Sequence, residues 1–348
     1  MKALKFLPLM LIATAAYAQS FVLDLPLRSP AAEVSQRIGL TDIDVRYHRP
    51  QVGGRKIWGD LVPYGKVWRT GANTITTIRF SDPVTIEGHP LDAGTYGFHA
   101  IPTADQWTLI FSKNSTTWGS FTYDQSEDAL RVNVKPEPSP MHESLTFDID
   151  QIQPDSAVIA LEWEKLRIPF RVGVDTHALV QASLKRQLRG QKRYIWMSWD
   201  DAANYLLHEK LSLDDALAYA NHSIEVEDRF DNELTKSNVL AALNRPTDSD
   251  AARHRALDLG SATQLRDYGV SLLDTNREAA FTVFRENARK RPDAWQSHEG
   301  LARMYAAEGR VGEAEKEAKT ALASAPESEK ESLRGLVAEL TGGKRIHD

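Results

Sequence analysis

The chain has 348 residues, 42% hydrophobic and 26% charged, with a formal net charge of −6. That length suits two globular domains, and the acidic balance excludes wholesale attraction to nucleic acid or anionic lipid. There is no cysteine, which excludes disulfides, thiol catalysis and cysteine-ligated metals.

Residues 1–18 read as an export signal. Lys2 and Lys5 precede an apolar run from Phe6 to Ala15, and Ala16-Tyr17-Ala18 offers small residues where signal peptidase reads. The run is about ten residues long against the roughly 20 needed to span a bilayer, so a membrane anchor is not expected. With no cysteine after the signal, neither is a lipoprotein. The expectation is an exported protein, periplasmic or secreted.

Residues 19–176 read as strand after strand. Ile43 to Tyr47 alternates apolar and polar, as a half-buried strand does, and Thr76–Phe80 and Val84–Ile86 are β-branched and alternating. Thr95–Ile101 and Trp107–Phe111 flank a polar turn and predict a hairpin. Leu130–Val134, Leu145–Ile149, Val158–Trp163 and Ile168–Val174 continue the series, with turns expected at Asp82-Pro83, Glu87-Gly88, Asp92 to Gly94 and the Pro136–Pro140 cluster. Many short strands at this spacing predict an antiparallel β-sandwich or a jelly-roll-like barrel.

Residues 177–348 change texture to Ala, Leu, Glu and Lys and predict an all-α domain. Ala280, Phe284 and Pro292 recur as Ala314, Ala318 and Pro326 after 34 residues, the tetratricopeptide period. The repeat is clearest over residues 265–326. Ala202 to Glu225 reads as a degenerate relative, although Tyr205 and Ala216 stand further apart than the repeat allows. The fold class is thus α+β as two domains.

Between these, Gly53 to Asn73 (GGRKIWGDLVPYGKVWRTGAN) fits neither period. From Val45 to Phe80 seven basic residues face Asp60 alone, within a domain whose net charge is −5. Arg offers forked donors to an anion and Trp a flat apolar face. Arg49, Arg55, Lys56, Trp58, Asp60, Trp68, Arg69 and Asn73 are therefore the candidate ligand-binding residues, for an anionic or sugar-like ligand. The competing reading makes the same loop a lid anchored over the sandwich mouth. Gly53-Gly54 and Gly71 suit sharp turns at its two ends.

This stretch, with Ser29 to Ala32, Tyr47 to Pro50, Ala93 to Tyr96, Trp107 to Asn114, Trp118-Gly119, Tyr123-Asp124 and Leu130 to Val132, resembles the bacterial domain of unknown function 2911 family over roughly Ser29 to Asp175. The resemblance implies an exported domain, often with a helical, repeat-like tail, and brings no activity and no catalytic residues.

The chemistry-bearing motifs are sparse. The histidines show no His-x-His, His-x3-His or HExxH spacing, so no metal is expected, although His48 and His99 could meet in space. There is no GxSxG elbow, and Trp118-Gly119-Ser120 lacks a strand-turn-helix context. No GxGxxG or GxxxxGK[ST] is present, so no nucleotide cofactor is expected. Three readings stand side by side. The first is an envelope binding protein using the Arg/Trp loop and a helical-repeat groove for a protein or peptide partner. The second is an envelope hydrolase using Asp60 or Asp124 with His48 or His99, and the third a structural loop with no ligand.

Overall fold

The computed structural model describes residues 25–342; the expected export signal at 1–18 lies outside them. The chain divides into two compact units between Leu179 and Val180.

The first unit has ten strands: β1 (Ala31–Ile38), β2 (Thr41–His48), β3 (Thr76–Phe80), β4 (Val84–Ile86), β5 (His89–Leu91), β6 (Gly94–Pro102), β7 (Trp107–Ser112), β8 (Asp128–Val134), β9 (Glu137–Gln153) and β10 (Ser156–Gly173). They form a six-stranded sheet, β1-β2-β3-β6-β7-β8, and a four-stranded sheet, β5-β4-β10-β9. The named pairs are antiparallel. Alternation in β2 and β3 sends Ile43, Val45, Ile78 and Phe80 to one face, all of them buried. Phe98 of β6 meets Phe147 of β9 and Phe170 of β10 at ring-centroid distances of 6.0 and 5.6 Å, so the two sheets close over one aromatic core.

Two expectations are corrected here. The Pro136–Pro140 cluster is not simply a turn, because Pro138 and Pro140 lie inside β9. β9 is an edge strand of its sheet, where a missing N–H leaves no ladder bond unmade. The expected strands at Val158–Trp163 and Ile168–Val174 are one strand, β10, bent by register shifts around Glu164. Glu164 has a left-handed backbone, φ 55, as β-bulges tolerate.

The second unit is helical: after α1 (Thr176–Gln187) come α2 (Trp196–His208), α3 (Leu213–Val226), α4 (Phe230–Ala242), α5 (Pro246–Leu259), α6 (Ala262–Leu272), α7 (Arg277–Lys290), α8 (Trp295–Ala307), α9 (Val311–Ser324) and α10 (Glu327–Thr341). The arrangement is tetratricopeptide-like. Helices α2, α4, α6 and α8 begin 34, 32 and 33 residues apart, and α3, α5, α7 and α9 begin 33, 31 and 34 apart. Each hairpin buries a small residue on its first helix (Ala203, Ser237, Gly269, Ala302) and another on its second (Ala216, Ser249, Ala280, Ala314), which lets the paired helices approach closely.

The α4–α5 hairpin escapes sequence reading because serines replace the alanines. Ser237 Oγ donates to the Ser249 carbonyl at 2.9 Å, and Ser249 Oγ donates to the Ser237 carbonyl at 2.8 Å. These reciprocal bonds satisfy both hydroxyls inside the seam. In the α2–α3 hairpin Leu206, 1% exposed, is the fully buried core residue, and the half-buried Tyr205 packs against the same cluster. Successive first helices are tied by polar pairs: Asn204 to Thr235 at 2.9 Å, Gln264 to Asp231 at 3.1 Å, and Arg266 to Glu299 at 3.0 Å. No described helix is long and apolar enough to cross a membrane.

Candidate anion cleft and the Ser120–His99 pair

Residues 50–75 form no regular element, yet their backbone is tied to both sheets. Val52 N–H donates to the Glu143 carbonyl at 2.7 Å and Leu145 N–H to the Pro50 carbonyl at 3.0 Å, which fixes one end on β9. Further on, Trp68 and Ala100 exchange two backbone bonds of 2.8 Å, and Thr70 Oγ1 donates to the Phe98 carbonyl at 2.9 Å, so the other end lies along β6. Gly53 and Gly54 both have positive φ, 54 and 70, as a turn of that hand requires. Gly71 serves close approach instead: a Cβ there would stand 3.2 Å from the His48 carbonyl oxygen.

The loop delivers Trp58 and Trp68 to Trp107 of β7 and Trp163 of β10. Trp68 stacks on Trp163 with centroids 6.0 Å apart at 16°, and Trp58 meets Trp68, Trp107 and Trp163 edge-on at 5.9, 5.0 and 5.8 Å. The buried indole N–H groups of Trp58, Trp107 and Trp163 find no acceptor among the described residues. Ring packing, not hydrogen bonding, therefore holds this plug. No space for a ligand separates Trp58 from Trp68.

The polar candidates divide sharply. Arg49 donates to the Leu145 carbonyl at 3.0 Å and to Thr146 Oγ1 at 2.7 Å, tying the chain just after β2 to β9. Arg55 donates to the carbonyls of Val52 and Gln51, closing its own turn. Asn73 donates to the Ser29 carbonyl at 3.1 Å. Lys56 and Asp60 are exposed on the turn. Arg69 is different: it is half-buried, and the hydrogen bond its guanidinium makes is a long one, 3.4 Å, to the Gly71 carbonyl. Burial pushes its pKa down. Its charge, second to burial itself, also lowers the pKa of the half-buried His48.

A cleft of about 560 Å³ opens beside the plug, lined by Arg28, Arg55 and Arg69 with Gln51, Trp68 and Trp163, and among the described residues no Asp or Glu lines it. Among the described residues none of these three arginines forms an ion pair. The neighbouring hollow of about 520 Å³ across β1 and β2 contains Arg46, but Glu33 neutralises it at 3.2 Å.

His48 and His99 do not meet. His48 Nδ1 lies 3.5 Å from Thr74 Oγ1, whereas His99 Nδ1 lies 2.9 Å from Ser120 Oγ. Asp124 caps the short turn at Gln125–Glu127 by accepting from Ser126 N–H at 2.9 Å. No described bond joins Asp60 or Asp124 to either histidine. The carboxylate whose charge acts on His99 is Asp128. His99 is 2% exposed, and burial pushes its pKa down to about 4. Tyr123 packs edge-on to its ring at 5.1 Å and donates to Asp128 Oδ2 at 2.7 Å, and Arg131 donates to both. No group of three or more His, Asp or Glu among the described residues is placed to hold a metal.

The segment carrying Ser120, residues 113–124, lies on the outer side of β6, and Gly97 makes room for it. A Cβ on Gly97 would stand 2.2 Å from the Asn114 carbonyl oxygen, so Gly97→Ala is expected to displace this segment. The destabilisation should be about 1–3 kcal/mol, read as a lowered midpoint in chemical denaturation; an unchanged midpoint would contradict the close packing.

Residues 29–172 match the family described as "Protein of unknown function (DUF2911)". That match covers most of the N-terminal unit. The matched region, here the DUF2911 domain, takes in nearly all of the sandwich, the cleft apart from Arg28, and the Ser120–His99 pair. No curated protein matches the chain. Solved structures similar to it include YrrB, described as a TPR protein with an unusual peptide-binding site. That likeness has 13% identity, 46% of this chain and 82% of that one covered, and a TM-score of 0.27. PilW, described as a widely conserved type IV pilus biogenesis factor, gives 18%, 48%, 79% and 0.29, and PilF of Pseudomonas aeruginosa gives 16%, 42%, 68% and 0.29.

Proposed function

We propose that this is an exported binding protein with two modules. The DUF2911 domain takes an anionic ligand, carboxylate- or phosphate-bearing, in the arginine-lined cleft, and the helical hairpins offer a face to a protein or peptide partner. The cleft carries the reading: three arginines line it without an acidic residue among the described ones, inside a domain that is acidic as a whole. Such a concentration of unneutralised guanidinium attracts and orients an anion. Export rests on the charge and apolar pattern of residues 1–18, and the partner face on the repeated hairpins.

Arg69 is the residue to replace, because Arg49, Arg55 and Asn73 hold the backbone and their loss would confound binding with folding. Arg69→Met should weaken binding of inorganic phosphate or citrate about 10- to 100-fold, the range set by one charge-assisted hydrogen bond, with the thermal midpoint held. Titration calorimetry at low salt reads this directly. Equal affinity in wild type and variant, or a matched loss of stability and binding, would return the loop to a purely structural role.

A further inference from the structure

Ser120 lies in the segment between β7 and β8, held by two contacts to the residues just before β3. Ile75 N–H donates to the Thr117 carbonyl at 3.2 Å, and Trp118 bridges Thr74. Its hydroxyl is 2.9 Å from His99 Nδ1, within the reach expected of a nucleophile and its base. Tyr123, fixed by Asp128 and Arg131, abuts the imidazole and sets its orientation. The Trp68–Ala100 bridge puts Arg69 opposite His99, and Arg69 Nη1 lies 2.7 Å from where a Cβ on Gly119 would stand. A cation therefore sits beside the residue preceding the serine. On either side of Ser120, Trp118 and Phe121 are 62% and 85% exposed.

We propose that Ser120 and His99 form a nucleophile–base pair that hydrolyses carboxylic esters carrying an apolar group. Ser120 Oγ bonds to the ester carbonyl carbon as its proton passes to His99. The carbon–alkoxide bond breaks, and the leaving alkoxide takes that proton, departing as the alcohol. Water then adds to the acyl-serine with His99 again accepting the proton, which releases the carboxylic acid and restores the serine hydroxyl. Arg69 stabilises the oxyanion in both steps. The Asp128 charge favours the transient imidazolium, and Trp118 and Phe121 receive the apolar part of the ester. Asp128 and Tyr123 are positioning residues. Arg69 is shared with the arginine-lined cleft, so an anion bound there competes with the ester for its guanidinium, whereas the Ser120–His99 pair itself stands apart from that reading.

The test uses the whole protein with a fluorophosphonate probe and p-nitrophenyl butyrate. Mass spectrometry should find the phosphonyl group on Ser120. Ser120→Ala should lose the label and at least about 100-fold of the hydrolysis, as expected when a nucleophile–base pair is removed. His99→Asn should lose labelling with Ser120 still present. If that variant does not fold, the wild-type pH profile decides: labelling flat from pH 8 to 5 and falling below supports His99 as base. A rate rising in proportion to hydroxide marks an unassisted hydroxyl and overturns the proposal. So does an unlabelled Ser120, or hydrolysis unchanged by Ser120→Ala.

Discussion

Phe284→Ala is expected to destabilise the helical unit by about 3–5 kcal/mol, the range for removing a buried phenylalanine. Phe284 is fully buried on α7, with α6 and α8 pressed against its ring. A Cβ on Gly269 would stand 2.3 Å from the ring and one on Gly300 2.6 Å from it. The ring thus lies directly on two helix backbones, which are too stiff to collapse into the space it would leave. Because stacked repeats hold one another through neighbouring interfaces, the loss should also uncouple α8–α10 from the hairpins before them. Urea denaturation followed by far-ultraviolet circular dichroism should show a lowered midpoint and a broader or split transition. A destabilisation below about 1 kcal/mol would contradict the packing described.

The DUF2911 domain should lose stability on mild acidification, through His99. An unfolded histidine titrates near 6.5, but burial pushes the folded His99 down to about 4. Between these values the unfolded chain holds a proton that the native protein refuses. Stability is therefore complete above about pH 6.5, falls as the pH drops toward 4, and loses no more from this group below that. The groups facing His99 are Ser120, Tyr123, Asp128 and Arg69. Asp128 counteracts the shift without reversing it. The full drop is on the order of 3 kcal/mol, legible in thermal midpoints between pH 7.5 and 4.5. His99→Gln keeps a hydrogen-bonding partner for Ser120 and should flatten the curve. Parallel curves for wild type and variant would refute the assignment.

Sequence pattern reaches the elements more readily than the site. Thr76–Phe80 and Val84–Ile86 coincide with β3 and β4, because alternation and β-branching act locally. The Pro136–Pro140 cluster misleads because a proline costs a strand little at a sheet edge, and edge position is a tertiary property. The α4–α5 hairpin is hidden because Ser237 and Ser249 solve with hydrogen bonds what alanines solve by size. Of the loop's candidate residues, charge and aromaticity could flag the set but not divide it. Arg49, Arg55 and Arg69 look alike in sequence, and only their neighbours decide which guanidinium is already engaged.

The sequence by itself determined the strand-rich first part, the helical second part, the 34-residue period and the concentration of basic residues over Val45 to Phe80. Each of these is written in local periodicity or composition. Tertiary structure alone decided that Trp58 and Trp68 plug the core with Trp107 and Trp163, and that Arg69 meets no carboxylate among the described residues. It likewise brought Ser120 onto His99, 21 residues away in the chain. Those outcomes depend on which segments cross which sheet, and on a glycine at position 97 that lets one of them lie flat. Such convergence has no period for a sequence to display.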